Sequence, residues 1–197
     1  MVRTGLVVLF SSLCISLPGV ASPVFAVRSQ QPPVNPLAQA MVDFKKRVDA
    51  YLDLRRAIAG KLPEVKETGD AAKISDREKA LGKAIAKARA TAKAGDVFGP
   101  EMSRHLQRIL AEDWNSRSEA DRKAIFKEIP PGLVLKVNQP YPTTIPLVSV
   151  PAKLLAQLPT IPEELEYRLV DRRLLLRDRD ANVIVDVLVG TVPKRSQ

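Results

Sequence analysis

Between Glu166 and Leu188 apolar and polar residues alternate at period two. Tyr167 and Leu169 fall on one face of a first strand, opposite Glu166, Arg168 and Val170. Asp171-Arg172 can turn the chain. Leu174 and Leu176 then share a face, against Arg173, Leu175 and Arg177. Arg179 to Asn182 is a polar tetrapeptide suited to a second turn, because Asp and Asn side chains bond their own backbone there. Val183, Val185, Val187 and Val189 line one face of a third strand, with Ile184, Asp186 and Leu188 behind. Alternation with β-branched residues predicts an antiparallel meander. A meander this small does not hold itself together in water, so its apolar face must pack on the helices upstream.

The helical pattern begins at Asn35-Pro36, a cap followed by a first-turn proline. Leu37, Met41, Phe44, Val48, Tyr51, Leu52 and Ile58 form one stripe, which predicts a helix over 36–59 closed by Gly60 in a left-handed conformation. A connector over 61–74 contains Pro63 and Gly69. Ser75 and Glu78 make a capping box for a second helix reaching Ala94, with Leu81, Ile85, Ala88 and Ala92 on its apolar side. Those residues are mostly small, so this helix should pack closely on a neighbour. Gly99-Pro100-Glu101 opens a third helix carrying Met102, Leu106, Ile109 and Leu110. Ser116 or Ser118 caps a fourth, with Ile125, Phe126 and Ile129 inward, stopped by Pro130-Pro131. Leu133 to Val137 can form a strand. Six prolines between Asn138 and Pro162 then forbid a continuous helix or a central strand. The expectation there is an extended connector, with a short helix at 152–158, wrapping back onto the helices.

At the N-terminus Arg3, the apolar run Leu6 to Leu17 and the small residues before Ala26 have the form of an export signal, with cleavage after Ala26, or alternatively after Ala21. The run is short for a bilayer span. The predicted organisation is therefore a signal peptide at 1–26, a flexible leader at 27–35, a helical region of about four helices at 36–130, a proline-rich connector at 131–164, a meander at 165–190 and a tail at 191–197. The class is α+β, the location periplasmic or secreted, and the mature chain has no transmembrane span. Cleavage would remove Cys14, the single cysteine, and with it any disulfide or thiol chemistry.

Charge is the strongest functional hint. The formal net charge is +9, and +8 without Arg3. It concentrates on Lys79, Lys83 and Lys87 of the second helix, beside Lys93, Arg77 and Arg89, and on Arg168, Arg172, Arg173, Arg177 and Arg179 of the meander. Patches of this kind attract anionic polymers or membrane surfaces, and they are equally a solvated face that confers solubility. Export and the 5% aromatic content disfavour nucleic acid.

Catalytic and metal chemistry have little to stand on. His105 is the single histidine, without a second histidine or a mature-chain cysteine to complete a nucleophilic or zinc site. Asp178, Asp180, Asn182 and Asp186 echo the start of a calcium loop, but Val183 and Val189 stand where that loop needs glycine and glutamate. A polar hairpin turn explains the same residues. No cofactor is expected.

The segments Tyr51-Leu52-Asp53-Leu54-Arg55, Gly95 to Glu101, Val137-Asn138 with Tyr141-Pro142, and Leu158 to Asp186 resemble an uncharacterised family of exported bacterial proteins. Leu165 to Arg168 with Ile184 to Asp186 is also similar to small C-terminal modules of unknown function in periplasmic proteins. The resemblance implies export and no particular activity. Three functional expectations follow: a non-enzymatic binding protein contacting an anionic envelope component or a periplasmic partner protein; a hydrolase built on Asp178, Asp180 and Asp186; and a chaperone-like protein pairing its first helix, Leu37 to Ile58, with a partner helix.

Overall fold

A computed structural model describes residues 35–63, 70–127, 133–143, 150–170 and 173–188. The expected signal peptide, the leader before Asn35, Gly69, Ile129 with the Pro130-Pro131 stop, the turn Asp171-Arg172, Val189 and the tail lie outside those residues, as do the side chains of Ile125 and Phe126.

Helix α1 spans Pro36–Ala59, as its stripe predicts. The Asn35 side chain accepts a hydrogen bond from the Leu37 N–H at 3.0 Å, and Pro36, which has no N–H to satisfy, follows it. Ala40, Phe44, Val48, Tyr51, Leu52 and Arg55 are buried along one side. Gly60 closes the helix in the right-handed region, at φ −68° and ψ −13°, so the expected left-handed residue is absent from this end. Its N–H bonds back to the Arg56 carbonyl, which satisfies the last turn without a chirality reversal.

Helix α2, Ala71–Ala88, starts earlier and ends earlier than the sequence predicts. Asp70 caps it through the N–H groups of Ala72 and Lys73, which places Ser75 and Glu78 inside the helix. It ends at Ala88 because Arg89 leaves the helical path to reach the Val185 carbonyl at 3.0 Å and Asn138 at 3.1 Å. Gly82 allows the close packing expected of this helix: a Cβ there would meet the Ala181 carbonyl oxygen at 2.7 Å. Helix α3, Pro100–Ser116, buries Met102, Leu106, Ile109 and Leu110. Helix α4, Glu119–Lys127, is capped by Ser118, whose hydroxyl accepts from the Asp121 N–H at 3.1 Å. Helix α5 is the short Ala152–Leu155 turn within the connector.

Strands β1 (Leu165–Val170), β2 (Arg173–Asp178) and β3 (Val183–Leu188) form an antiparallel sheet in that order. The fold is thus α+β, with five helices ahead of a three-stranded sheet among the described residues. Tyr167 pairs with Leu176 and Leu169 with Leu174, so the predicted faces of β1 and β2 hold. β3 departs from simple alternation. Leu176 pairs with Asp186 but Arg177 pairs with Ile184, which leaves Val185 as the extra residue of a β-bulge. Beyond the bulge the faces exchange. Leu188 joins Val183 and Val185 in the helix-side core, while Val187 lies with Ile184 on the other face.

Both faces are covered. On one, Leu174, Leu176, Val183, Val185 and Leu188 pack with Phe44, Val48, Ile85, Phe98, Met102 and Leu106. Full burial of each such side chain contributes about 1.5–3 kcal/mol, which a bare meander would lack. On the other, Leu175, Val170, Ile184 and Val187 pack under Leu135 and Tyr141. The connector therefore divides its work. Residues 150–162 lie back on the helices, as expected, but 133–143 crosses the far face of the sheet. It runs as extended chain beside β3 and not as the strand expected at Leu133 to Val137. Asn138 donates to the Ile184 carbonyl at 2.8 Å, Ile184 to Gln139 at 2.9 Å and Tyr141 to Asn182 at 2.9 Å, with a single bridge at Pro140. Among the described residues no helix is long and apolar enough to cross a membrane.

Candidate functional site

The carboxylates of the C-terminal hairpin face different ways. Asp178 is fully buried at the end of β2. Its Oδ2 accepts from the Tyr51 hydroxyl and the Arg55 Nε, each at 2.8 Å, and its Oδ1 from the Ala181 N–H at 2.8 Å. Arg55 extends further to Asp180, which lies at the surface. Burial, and then the Asp178 charge, push the Tyr51 hydroxyl far above its ordinary pKa, so it remains a donor. The Arg89 guanidinium lies 5.1 Å over the same tyrosine ring.

Asp186 is also fully buried, and the bulge at Val185 turns it toward the loop between α2 and α3. Its Oδ2 accepts from the N–H groups of Val97 and Phe98, both at 2.7 Å. Its Oδ1 accepts from Gly95 at 2.6 Å and from Val187 at 2.7 Å. Gly95 presents its N–H at φ +89°, a conformation in which a side chain would be strained. Burial raises the Asp186 carboxyl above the ordinary aspartate value, against the pull of these four donors. The carboxylates on which a hydrolase or a calcium loop would rest are thus engaged in joining α1, the hairpin and the 95–98 loop. Among the described residues no group of three or more His, Cys, Asp or Glu could hold a metal ion.

The meander arginines are also drawn inward. Glu166 pairs with Arg168 through one oxygen and with Arg177 through the other. The Arg168 and Arg177 side chains are only 13% and 12% exposed, too little for a free cationic surface. Arg177 also donates to Asn182 Oδ1, at 3.0 and 2.7 Å, and lies 5.5 Å over the Tyr141 ring. Arg173 donates to the Leu133 carbonyl at 3.4 Å and is half-buried. Arg172 lies outside the described residues. Arg168, Arg173 and Arg177 are therefore not a free cationic surface, and Arg173 and Arg177 fasten the connector to the back of the sheet.

Glu166 supplies a pH signature. Burial opposes its ionisation, but hydrogen bonds and charge from Arg168 and Arg177 prevail and hold it below its ordinary value of 4.5. A depressed folded pKa stabilises the fold above the unfolded value and loses that contribution as pH falls through the folded one. Stability should therefore drop as pH falls below about 4.5. Denaturant midpoints measured across that range should show a shallower slope for Glu166→Gln; an unchanged slope would place the acid sensitivity elsewhere.

Lys79, Lys83 and Lys87 remain in solvent. They are exposed on successive turns of α2, and among the described residues no carboxylate pairs with any of them. Lys73 lies six residues before Lys79, 3.6 Å from Asp70, and Asp76 and Glu78 are the acids interposed between them. His105 is half-buried on α3 beside Arg104 and Arg108. Burial, then Arg108, lower its pKa, so it is chiefly neutral at pH 7. Lys79 and Lys83 also border a small cavity of about 140 Å³, lined by Gly82, Ala86, Asn138, Pro140, Ala181 and Val183 among others.

No protein-family model, curated protein or solved structure matches the chain. Sequence reasoning missed Arg55, Arg89 and Asn138 as the residues that join the two halves. Asn138 did carry a signal: it precedes a proline-rich stretch and adopts φ +65°, a region that Asn tolerates better than most residues.

Proposed function

We propose that this is a non-enzymatic protein of the bacterial periplasm that contacts an anionic envelope component through the lysine face of α2. The location follows the N-terminal pattern of Arg3, Leu6 to Leu17 and Ala26. The observation that carries the binding reading is the contrast in charge use. Arg168, Arg173 and Arg177 of the meander are spent on internal partners, while Lys79, Lys83 and Lys87 stand exposed in a row. The buried, fully bonded state of Asp178 and Asp186 speaks against carboxylate chemistry as the activity. Phe44, Val48, Tyr51 and Leu52 pack within this chain's own core, so the α1 stripe is not offered to a partner helix.

The test is co-sedimentation of the purified protein with vesicles of phosphatidylcholine alone or mixed with phosphatidylglycerol. Binding should require the anionic lipid and weaken with salt, because exposed charges are screened within about 8–10 Å at physiological ionic strength. Each lysine near an anionic surface contributes about 1 kcal/mol. The triple variant Lys79→Gln, Lys83→Gln, Lys87→Gln should therefore bind roughly a hundredfold more weakly. A triple variant that binds as the parent does would remove α2 as the contact surface.

A further inference from the structure

The cavity beside Lys79 and Lys83 extends the reading just given. We propose that the cleft between α2 and the β2–β3 turn binds an amphiphilic anion, a phosphate or carboxylate carried on a compact apolar body, with the body in the cavity and the acid between the two lysines.

Three observations meet there. The first is size. The cavity holds about 140 Å³, close to the roughly 150 Å³ that accommodates one benzene ring in an apolar protein cavity. The second is the wall. Ala86, Pro140, Ala181 and Val183 present aliphatic groups, and the Cβ-free Gly82 keeps the helix against Ala181 and Val183 without filling the space. The two asparagines that line it are already engaged: Asn138 with Arg89 through both ends of its amide, and Asn182 with Arg177 through its carbonyl oxygen. The third is charge. Glu78, Lys79 and Lys83 are the ionisable residues among those described at the cavity, a net positive border around an apolar space. Lysine stems can lie along such a wall while their ammonium groups stay in water. A bare inorganic anion would use the border and leave the cavity empty. An uncharged hydrocarbon would use the cavity and leave the border idle.

The proposal rests on the lysine face as an anion-binding surface, and the experiment separates the two. Phenyl phosphate is titrated into the purified protein and followed by amide chemical shifts, with inorganic phosphate as the control. Shifts are expected at Gly82, Asn138 and Asn182, with phenyl phosphate binding at least about tenfold more tightly than inorganic phosphate because its ring leaves water. Ala86→Leu fills the cavity with a good helix former and should weaken phenyl phosphate by about tenfold or more while leaving anionic vesicle binding intact. Ala86→Val serves if the leucine variant does not fold. Lys87→Gln lies outside the cavity and should weaken vesicle binding alone.

Equal affinity for the two phosphates would overturn the proposal, and so would phenyl phosphate binding unchanged in a folded Ala86 variant. Either result, with vesicle binding still dependent on the lysines, would leave the surface reading standing. Ring-dependent binding at this cavity without any vesicle binding would support the cleft with a free amphiphile as its ligand, and would overturn the membrane contact. Ring-dependent binding together with vesicle binding lost in Ala86→Leu would also support the cleft, and would assign the apolar body to a membrane lipid.

Discussion

Asp186→Asn should lower the stability of the protein by about 3–5 kcal/mol, the largest effect expected from any change of so few atoms. The Asp186 carboxylate accepts four backbone N–H groups, two on each oxygen, at 2.6–2.7 Å. Asparagine keeps one acceptor oxygen and replaces the other with a donor. Whichever way the amide turns, either Val97 and Phe98 or Gly95 and Val187 face an NH₂ group. Two buried donors without acceptors cost about 1–3 kcal/mol each, and the charge that strengthened the remaining bonds is gone. The damage should reach α1, because Phe98 stacks on Phe44 with ring centroids 6.0 Å apart. Urea denaturation followed by far-UV circular dichroism measures the effect. A loss below about 1 kcal/mol, the net worth of one ordinary hydrogen bond, would mean that these four donors find other acceptors.

Arg55→Met is the second, at about 2–4 kcal/mol. It leaves Asp178 fully buried with Tyr51 and Ala181 as its remaining donors and, among the described residues, no ion-paired partner. Breaking a buried ion pair from one side generally costs about 3–5 kcal/mol. The lower range applies here because the Arg55 side chain is 11% exposed, so water reaches part of the site. Adding Asp178→Asn should recover some of the loss, since a neutral amide needs no counter-charge. A double-mutant cycle should then give a coupling of about 1–3 kcal/mol. Additive losses would show that Arg55 acts through packing alone and that its charge is incidental.

These two sites also mark where the sequence stopped being legible. The stripe of α1, the Gly99-Pro100 opening of α3, the Ser118 cap and the faces of β1 and β2 follow from periodicity and local chemistry, and each stands where those rules place it. The faces of β3 do not. A bulge inserts one residue into the alternation, and its cause is tertiary: Asp186 reaches N–H groups on a loop some ninety positions earlier. The end of α2 is similar, since Arg89 leaves the helix for Asn138 and a β3 carbonyl that no local pattern reveals. The basic residues divided for the same reason. Arginine with its planar fork was recruited to internal carboxylate and amide partners, and lysine with its flexible stem was left outside. A count of positive charges along the chain treats the two alike.

Among the described residues all three strands follow the helices in chain order, and the helices, which pack on one another, also bury apolar side chains against them. Tyr51 meets Asp178 across 127 positions, and Arg55 meets it across 123. While the ribosome is still making the connector, Phe44, Val48, Met102 and Leu106 have no sheet to cover them. The nascent chain therefore cannot complete its core until its hairpin has emerged, and contacts this distant in sequence form slowly. On the export route proposed above, that delay would hand a secretion channel a chain whose core is still incomplete.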